Sequence, residues 1–269
     1  MVNLEDIIGK GVNNWKNNYV LGLPFILNVI ASYVLQFIFA IIVVVILFIM
    51  IPYSILDGAD LFNQGTAPQN VLLTAIILFT VLFIFLFVYM LVESFFVCGA
   101  TGMTLDVIRG GESSISRMIV HGRRYLSVLF PANIIVLLIL VFGEIIISGV
   151  FFGVPYETGI LNRDNSMFAL GLASVIAGLL VTVVYALSVD LVFKPLQFAV
   201  VFSDRGVLSS LKTSYSFFME NKLNLFLIWL IVLIIGIFTY SINFVISFFL
   251  NLIPLVGPLV SQLVVFVID

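Results

Sequence analysis

Charged side chains are scarce in this 269-residue chain: Asp, Glu, Lys and Arg together make up 9% of it, against about 25% in an ordinary soluble domain. That scarcity excludes a water-soluble globular fold and, together with the long apolar runs of the chain, a nucleic-acid binder. A single cysteine, Cys98, rules out an internal disulfide and a cysteine-built metal centre. The single histidine, His121, lacks the companions that catalysis or metal binding needs, and the sequence assigns it to a solvated basic loop beside Arg123 and Arg124. No phosphate loop and no HExxH, CxxC or GxSxG motif occurs. With connections too short to hold a soluble active-site domain, the expectation is a protein that is not an enzyme and has no catalytic residues, metal or cofactor.

Hydrocarbon fills the space that charge leaves. Hydrophobic residues make up 62% of the chain and the mean hydropathy is +1.28, with several runs beyond the roughly 20 apolar residues that cross a bilayer. Six stretches read as crossings, approximately Leu21–Ile51, Val71–Cys98, Leu126–Phe152, Met167–Val201, Leu223–Leu250 and Leu252–Asp269. Backbone groups in lipid must bond within their own segment, and these runs are too long and too continuously apolar for barrel strands, so helices are required. The predicted fold class is all-α, a polytopic membrane protein formed as one transmembrane domain over residues 1–269. Residues 1–16 mix acids with lysines, and the apolar run after them is longer than a signal h-region, so no cleavable signal peptide is expected.

The cations orient the spans. Lys10 and Lys16 precede the first; Arg109, Arg117, Arg123 and Arg124 lie between the second and third; Lys194, Arg205, Lys212 and Lys222 surround the connection from the fourth to the fifth. Arg163 stands alone on the other side, beside Asp57, Asp60, Glu157 and Asp164. The positive-inside rule therefore predicts a cell-membrane protein with both termini in the cytoplasm.

A repeated unit is legible ahead of the odd-numbered spans. Arg109, Gly110, Ser113, Ser114 and Ile115 recur as Arg205, Gly206, Ser209, Ser210 and Leu211, an offset of 96 residues, and Val92-Glu93 is matched by Val189-Asp190 at an offset of 97. Each segment then carries an apolar stripe at helical spacing: Ile115, Met118, Ile119 and Tyr125 in one, Leu208, Leu211, Tyr215 and Phe218 in the other. Before the first span, Leu4, Ile7, Ile8, Val12 and Trp15 form a similar stripe opposite Glu5, Asp6, Lys10, Asn13 and Asn14. The reading is three hairpins, each preceded by a short amphipathic interfacial helix, as repeats over 1–100, 101–203 and 204–269. The alternative origin is that any basic loop between hairpins tends to be amphipathic. Ser113 and Ser209 are the predicted helix caps. The last span has 18 residues, about 27 Å of helix, and ends on Asp269 where the third acid of the pattern would fall, so truncation is expected there.

Four ionisable residues sit at membrane depth, where each is costly and needs a partner: Glu93, Glu144, Asp190 and Lys194. Asp190 and Lys194 have the spacing and order of a favourable helical pair. Glu93 falls about six residues inside its predicted helix end, within reach of Arg109, Arg117 or Lys194; its role is an anchor to an interfacial helix or a proton or cation site. Glu144 pairs with Arg163, reaches a wet cavity or is protonated. Pro131 and Pro195 break helices near the basic side, and Pro254, Gly257 and Pro258 form a tight turn. Spacings such as Gly99 to Gly102 and Ser174 to Gly178 suit close helix approach.

The opening Gly11-Val12-Asn13-Asn14-Trp15-Lys16-Asn17-Asn18, followed by Leu23-Pro24-Phe25-Ile26-Leu27-Asn28, resembles an uncharacterised archaeal family of six-span membrane proteins. That family is distantly similar to the membrane domain of some glycerophosphoryl diester phosphodiesterases and to related small bacterial inner-membrane proteins. The resemblance implies a prokaryotic cell membrane and carries over no catalytic residue. The leading expectation is a non-enzymatic scaffold or permease-like component, with Glu93 and Asp190 near a central seam. Arg117, Arg123, Arg124 and Lys212 are the candidates for anionic lipid headgroups, each worth about 1 kcal/mol near the surface. The alternatives are a secondary transporter or channel using the intramembrane acids, and a lipid-modifying enzyme with polar groups converging around His121, Arg123 and Arg124. A homo-oligomer or a membrane-protein partner stays open.

Overall fold

Leu, Ile, Val and Phe fill the long runs, and without competing water the backbone groups of such runs find partners only along a helix. The computed structural model describes residues 4–50, 69–110, 113–158, 165–204 and 206–251, and among them the regular elements are all helical. Helix α1 (Leu4–Asn17) leads through a 3-10 turn at Tyr19–Gly22 into α2 (Leu23–Met50). Then follow α3 (Gln69–Ile108), α4 (Ile115–Thr158), α5 (Asn165–Phe193), α6 (Leu196–Ser203) and α7 (Val207–Asn251). Five stretches, Tyr19–Phe48, Ala75–Ile108, Ile115–Phe151, Gly171–Ser203 and Val207–Ile246, are long and apolar enough to cross a membrane. In four of the five the most apolar part contains no buried residue, which is the surface that lipid demands. The expected sixth crossing, Leu252–Asp269, its Pro254, Gly257 and Pro258, the loop from Pro52 to Pro68, and Arg163 lie outside the described residues.

Two helices run further than the hydropathy pattern predicts. Helix α3 continues ten residues past Cys98, and α4 joins the stripe of Ile115, Met118 and Ile119 to the span beyond it in one helix of 44 residues. Pro131 does not end α4, because Leu129 and Ala132 on either side of it are buried and hold the helix in place. Pro195 does interrupt the chain, separating α5 from α6. The three segments expected to be interfacial are helical in three ways: separate as α1, continuous with the following apolar stretch in α4, and ahead of a kink in α7, where Asn221 has φ −124 and ψ 27. In the last, Ser210 and Ser214 are buried and Leu211 packs against the core cluster, while Leu208 and Tyr215 stay exposed, so the apolar stripe is split between the core and the surface.

The helix caps also differ from the expectation. Ser114, directly before α4, accepts the Arg117 backbone N–H at 3.4 Å, whereas Ser113 Oγ is buried with no partner. Ser209 lies inside α7 and donates to the Gly206 carbonyl at 2.8 Å. Gly110 has φ +82, a backbone turn that residues with a Cβ rarely adopt.

Buried apolar side chains gather toward the end of the bundle where the α3–α4 and α6–α7 connections lie, here termed the basic end. Cys98 and Leu105 of α3, Tyr125, Leu129 and Ala132 of α4, and Leu196, Val200 and Val201 of α6 form one cluster. Missing side chains allow the helices to come this close. A Cβ on Gly99 would sit 2.6 Å from Met118, one on Gly122 2.7 Å from Phe95, and one on Gly102 would overlap Cβ and Cγ of His121. Between α4 and α5 the Tyr185 ring lies where a Cβ of Gly143 would be, and its hydroxyl donates to the Ile139 carbonyl at 2.6 Å. Ser174 likewise donates to the Phe151 carbonyl at 2.7 Å.

Candidate functional site

Asp190 lies in the last turn of α5 and Lys194 directly follows its last residue, and their side chains meet at 3.5 Å just before Pro195. A second donor comes from α7, where the Trp229 indole N–H bonds the other carboxylate oxygen of Asp190 at 3.1 Å. Across from them, α3 carries Glu93, whose charged neighbour is Lys194. The adjacent Ser94 is fully buried and accepts a hydrogen bond from the Asn133 amide of α4 at 3.1 Å. Between these walls lies a cavity of about 230 Å³, with Glu93, Asn133, Asp190, Lys194 and Gln197 as its polar lining and Val97, Leu129, Val136, Phe193 and Leu196 as its apolar lining. Glu93, Asp190 and Lys194 therefore face a shared space, immediately beside the buried cluster of the basic end.

The reach of Glu93 is corrected by the length of α3. Ile108, the last residue of α3, is 15 residues beyond Glu93, a rise of about 22 Å, so Arg109 and Arg117 are too far along the bundle. Arg117 instead bonds Asp106 at 3.2 Å. Of the three cations expected near Glu93, Lys194 is the one beside it. Glu144 stands apart, near Gly143 on the opposite half of α4, and contributes nothing to the cavity lining. Among the described residues no group of His, Cys, Asp and Glu is arranged to hold a metal ion.

A second polar group occupies the basic end. Asp106 receives both Arg117, at 3.2 Å, and His121 Nε2, at 2.9 Å. His121 is not the solvated loop residue that composition suggested: its side chain is 16% exposed and stacked over Tyr125, with Gly102 beneath the ring. The reason is that α4 begins at Ile115, so His121 falls on the helix face that crosses α3. Arg124 leaves this group for Asp204, at 2.5 Å, and its guanidinium lies 5.2 Å from the centre of the Tyr125 ring. Asp204 is in the left-handed backbone region, which aspartate tolerates better than most residues. Arg123 and Lys212 are exposed. The polar groups around His121 are thus divided between two acids and do not converge on one reaction centre.

The sequence-based reading missed Asn133 and Gln197 in the cavity, their neighbours Ser94 and Trp229 that bond Asn133 and Asp190, and Asp106 at the basic end. One signal could have found two of the contacts: Ser94 to Asn133 and Asp190 to Trp229 are both separations of 39 residues.

Comparison with curated proteins and with solved structures finds no match. Residues 87–269 match the model of a protein family described as Domain of unknown function (DUF7847). That segment covers more than half of the chain and holds every residue of the cavity and of the Asp106 group; the chain belongs to the DUF7847 family.

Proposed function

We propose that this protein is a permease-like, non-enzymatic component of a prokaryotic cell membrane, and that it holds a small polar solute in the cavity between α3 and α5. It crosses the membrane six times with both termini in the cytoplasm, so the basic end faces the cell interior. The observation that carries this reading is the cavity itself: a space of about 230 Å³ at which Glu93, Asp190 and Lys194 converge from two membrane-crossing helices. Ionisable groups at that depth are costly, and a dry structural seam would be expected to close around them. Here the three open onto a shared volume together with two side-chain amides.

An internal repeat supports the same reading, since repeated bundles with a polar site at their interface are a recurrent carrier design. The hydrogen bonds from Asn133 to Ser94 and from Trp229 to Asp190 lie 96 residues apart at both ends. That is the offset of Arg109 and Arg205. This register makes Ser94, rather than Glu93, the counterpart of Asp190.

Uptake into proteoliposomes tests the proposal. Vesicles bearing the full chain are expected to accumulate at least one small charged solute faster than empty vesicles, with Glu93→Gln and Asp190→Asn each abolishing most of the difference. Uptake indifferent to both substitutions would defeat the permease reading. The glycine-mediated crossings of α3 with α4 and of α4 with α5 favour a scaffold as the second reading, and that outcome would leave it standing.

A further inference from the structure

Charge, size and lining together define an occupant for the cavity. Asp190 is satisfied on both oxygens, by Lys194 at 3.5 Å and by the Trp229 N–H at 3.1 Å. Glu93 makes no hydrogen bond among the described residues, although Lys194 is its charged neighbour. However the lysine divides itself between them, two ionised carboxylates and one ammonium would leave the site one negative charge in excess. A net charge is expensive at membrane depth, so the favoured occupant is the one that cancels it. A single positive charge does so; a dication overshoots, a zwitterion leaves the excess in place, and an anion doubles it.

Volume separates an organic ion from a metal ion. A cavity of about 150 Å³ accepts a benzene ring, and this one is about 230 Å³, far more than a bare alkali ion fills. Val97, Leu129 and Val136 provide surface for a few carbons, and the Phe193 ring suits a cation at its face. The Asn133 NH₂ is committed to Ser94, which leaves its carbonyl oxygen as an acceptor for ammonium protons. We propose, resting on the permease reading above, that the cavity binds a small organic monocation, an ammonium with a short carbon chain, with Glu93 as its counter-charge.

The test is calorimetric titration of the purified full-length protein in lipid nanodiscs with propylammonium, propionate, β-alanine and potassium at constant ionic strength. Trp229 emission in a Trp15→Phe background, where it is the sole tryptophan, gives a second readout. Propylammonium is expected to bind saturably and more tightly than the other three. Glu93→Gln should weaken it by about tenfold or more, the scale of a lost charge-assisted hydrogen bond. Asp190→Asn should weaken it too, since the site charge falls to zero, and Asp190→Asn with Lys194→Gln should restore binding by returning the charge to minus one. Tighter binding of propionate, β-alanine or potassium, or a Glu93→Gln protein that binds propylammonium like the native one, would overturn the proposal. Glu93→Gln is nearly isosteric, and it decides the matter even if the double variant does not fold. Failure of all four probes while solute uptake still depends on Glu93 would remove the ligand class and leave the permease reading intact. Failure of binding and uptake together would remove both.

Discussion

Gly102→Ala is the sharpest perturbation of the helix crossing that supports the site. The added methyl would overlap Cβ, Cγ and Cδ2 of His121, where carbon atoms ordinarily stay about 3.5–4.0 Å apart. His121 Cβ is fixed to the α4 backbone, so a rotamer change cannot clear all three atoms. One turn away, a Cβ on Gly99 would already be 3.0 Å from the Met118 carbonyl oxygen, so the two helices have no slack to share. They must separate, at an overpacking cost of about 1–3 kcal/mol. Separation also draws His121 off Asp106, a bond of 2.9 Å with a net value of about 1 kcal/mol. Arg117 remains on the same carboxylate oxygen and limits that loss.

The expected total is about 2–4 kcal/mol, read as a shift of the equilibrium unfolding curve in mixed micelles at increasing denaturing detergent. His121→Ala alone should also destabilise, through the lost bond and the emptied space beside Tyr125. Combined, the two changes should cost less than their sum by about 1–2 kcal/mol, because the smaller side chain admits the new methyl. Additivity within about 0.5 kcal/mol, or an unchanged Gly102→Ala protein, would refute the steric account of this crossing.

Gly143→Ala should act similarly on α4 and α5, displacing the Tyr185 ring and costing about 1–3 kcal/mol, whereas Tyr185→Phe, which loses only the bond to Ile139, should cost about 1 kcal/mol in the same unfolding assay. Arg124→Ala should cost less than about 1 kcal/mol, with the difference shrinking at high salt, because Arg124 and Asp204 are 57% and 59% exposed; a loss above about 2 kcal/mol would mean that this pair organises the basic end. Under the proposed orientation, a cysteine placed at Arg117 or Lys212 in a Cys98→Ser background should react with an impermeant maleimide only after the cells are opened, and labelling of intact cells would invert the topology. Native Cys98, fully buried, should stay unlabelled until the protein unfolds.

Hydropathy located the five described helices that are long and apolar enough to cross a membrane, because the lipid constraint acts on each segment separately. It misplaced the ends of α3 and α4 because those ends lie in the packed core of the basic end, where neighbouring helices prolong a helix beyond its apolar run. The Asp190–Lys194 pair was legible because both partners lie on one helix turn; Arg117–Asp106 and Arg124–Asp204 were not, since each joins separate helices. His121 shows the limit most clearly. Flanking arginines marked it as solvated, yet those arginines point elsewhere on the helix while the imidazole occupies the space left by Gly102. Small residues at 99 and 102 announced a close approach, but no local pattern names the side chain that fills it.

The proposed 96-residue register also explains why the polar site sits where it does. Under it, three pairs of buried positions correspond across the two units: Ala100 with Leu196, Leu105 with Val201, Met118 with Ser214. The charged residues of the cavity have counterparts of other chemistry. The neutral Ser94 and Cys98 of α3 are the counterparts of the charged Asp190 of α5 and Lys194 just after it, and the amide of Asn133 is the counterpart of the indole of Trp229. Each seam still makes one side-chain hydrogen bond at the same level, so the frame is preserved while its chemistry changes. Glu93 has the apolar Val189 as its counterpart, and it alone supplies the excess negative charge once Asp190 and Lys194 cancel. Three buried pairs and one hydrogen bond are thus held in common by the two units, while Glu93, Asp190 and Lys194 are the cavity positions at which the units differ in charge.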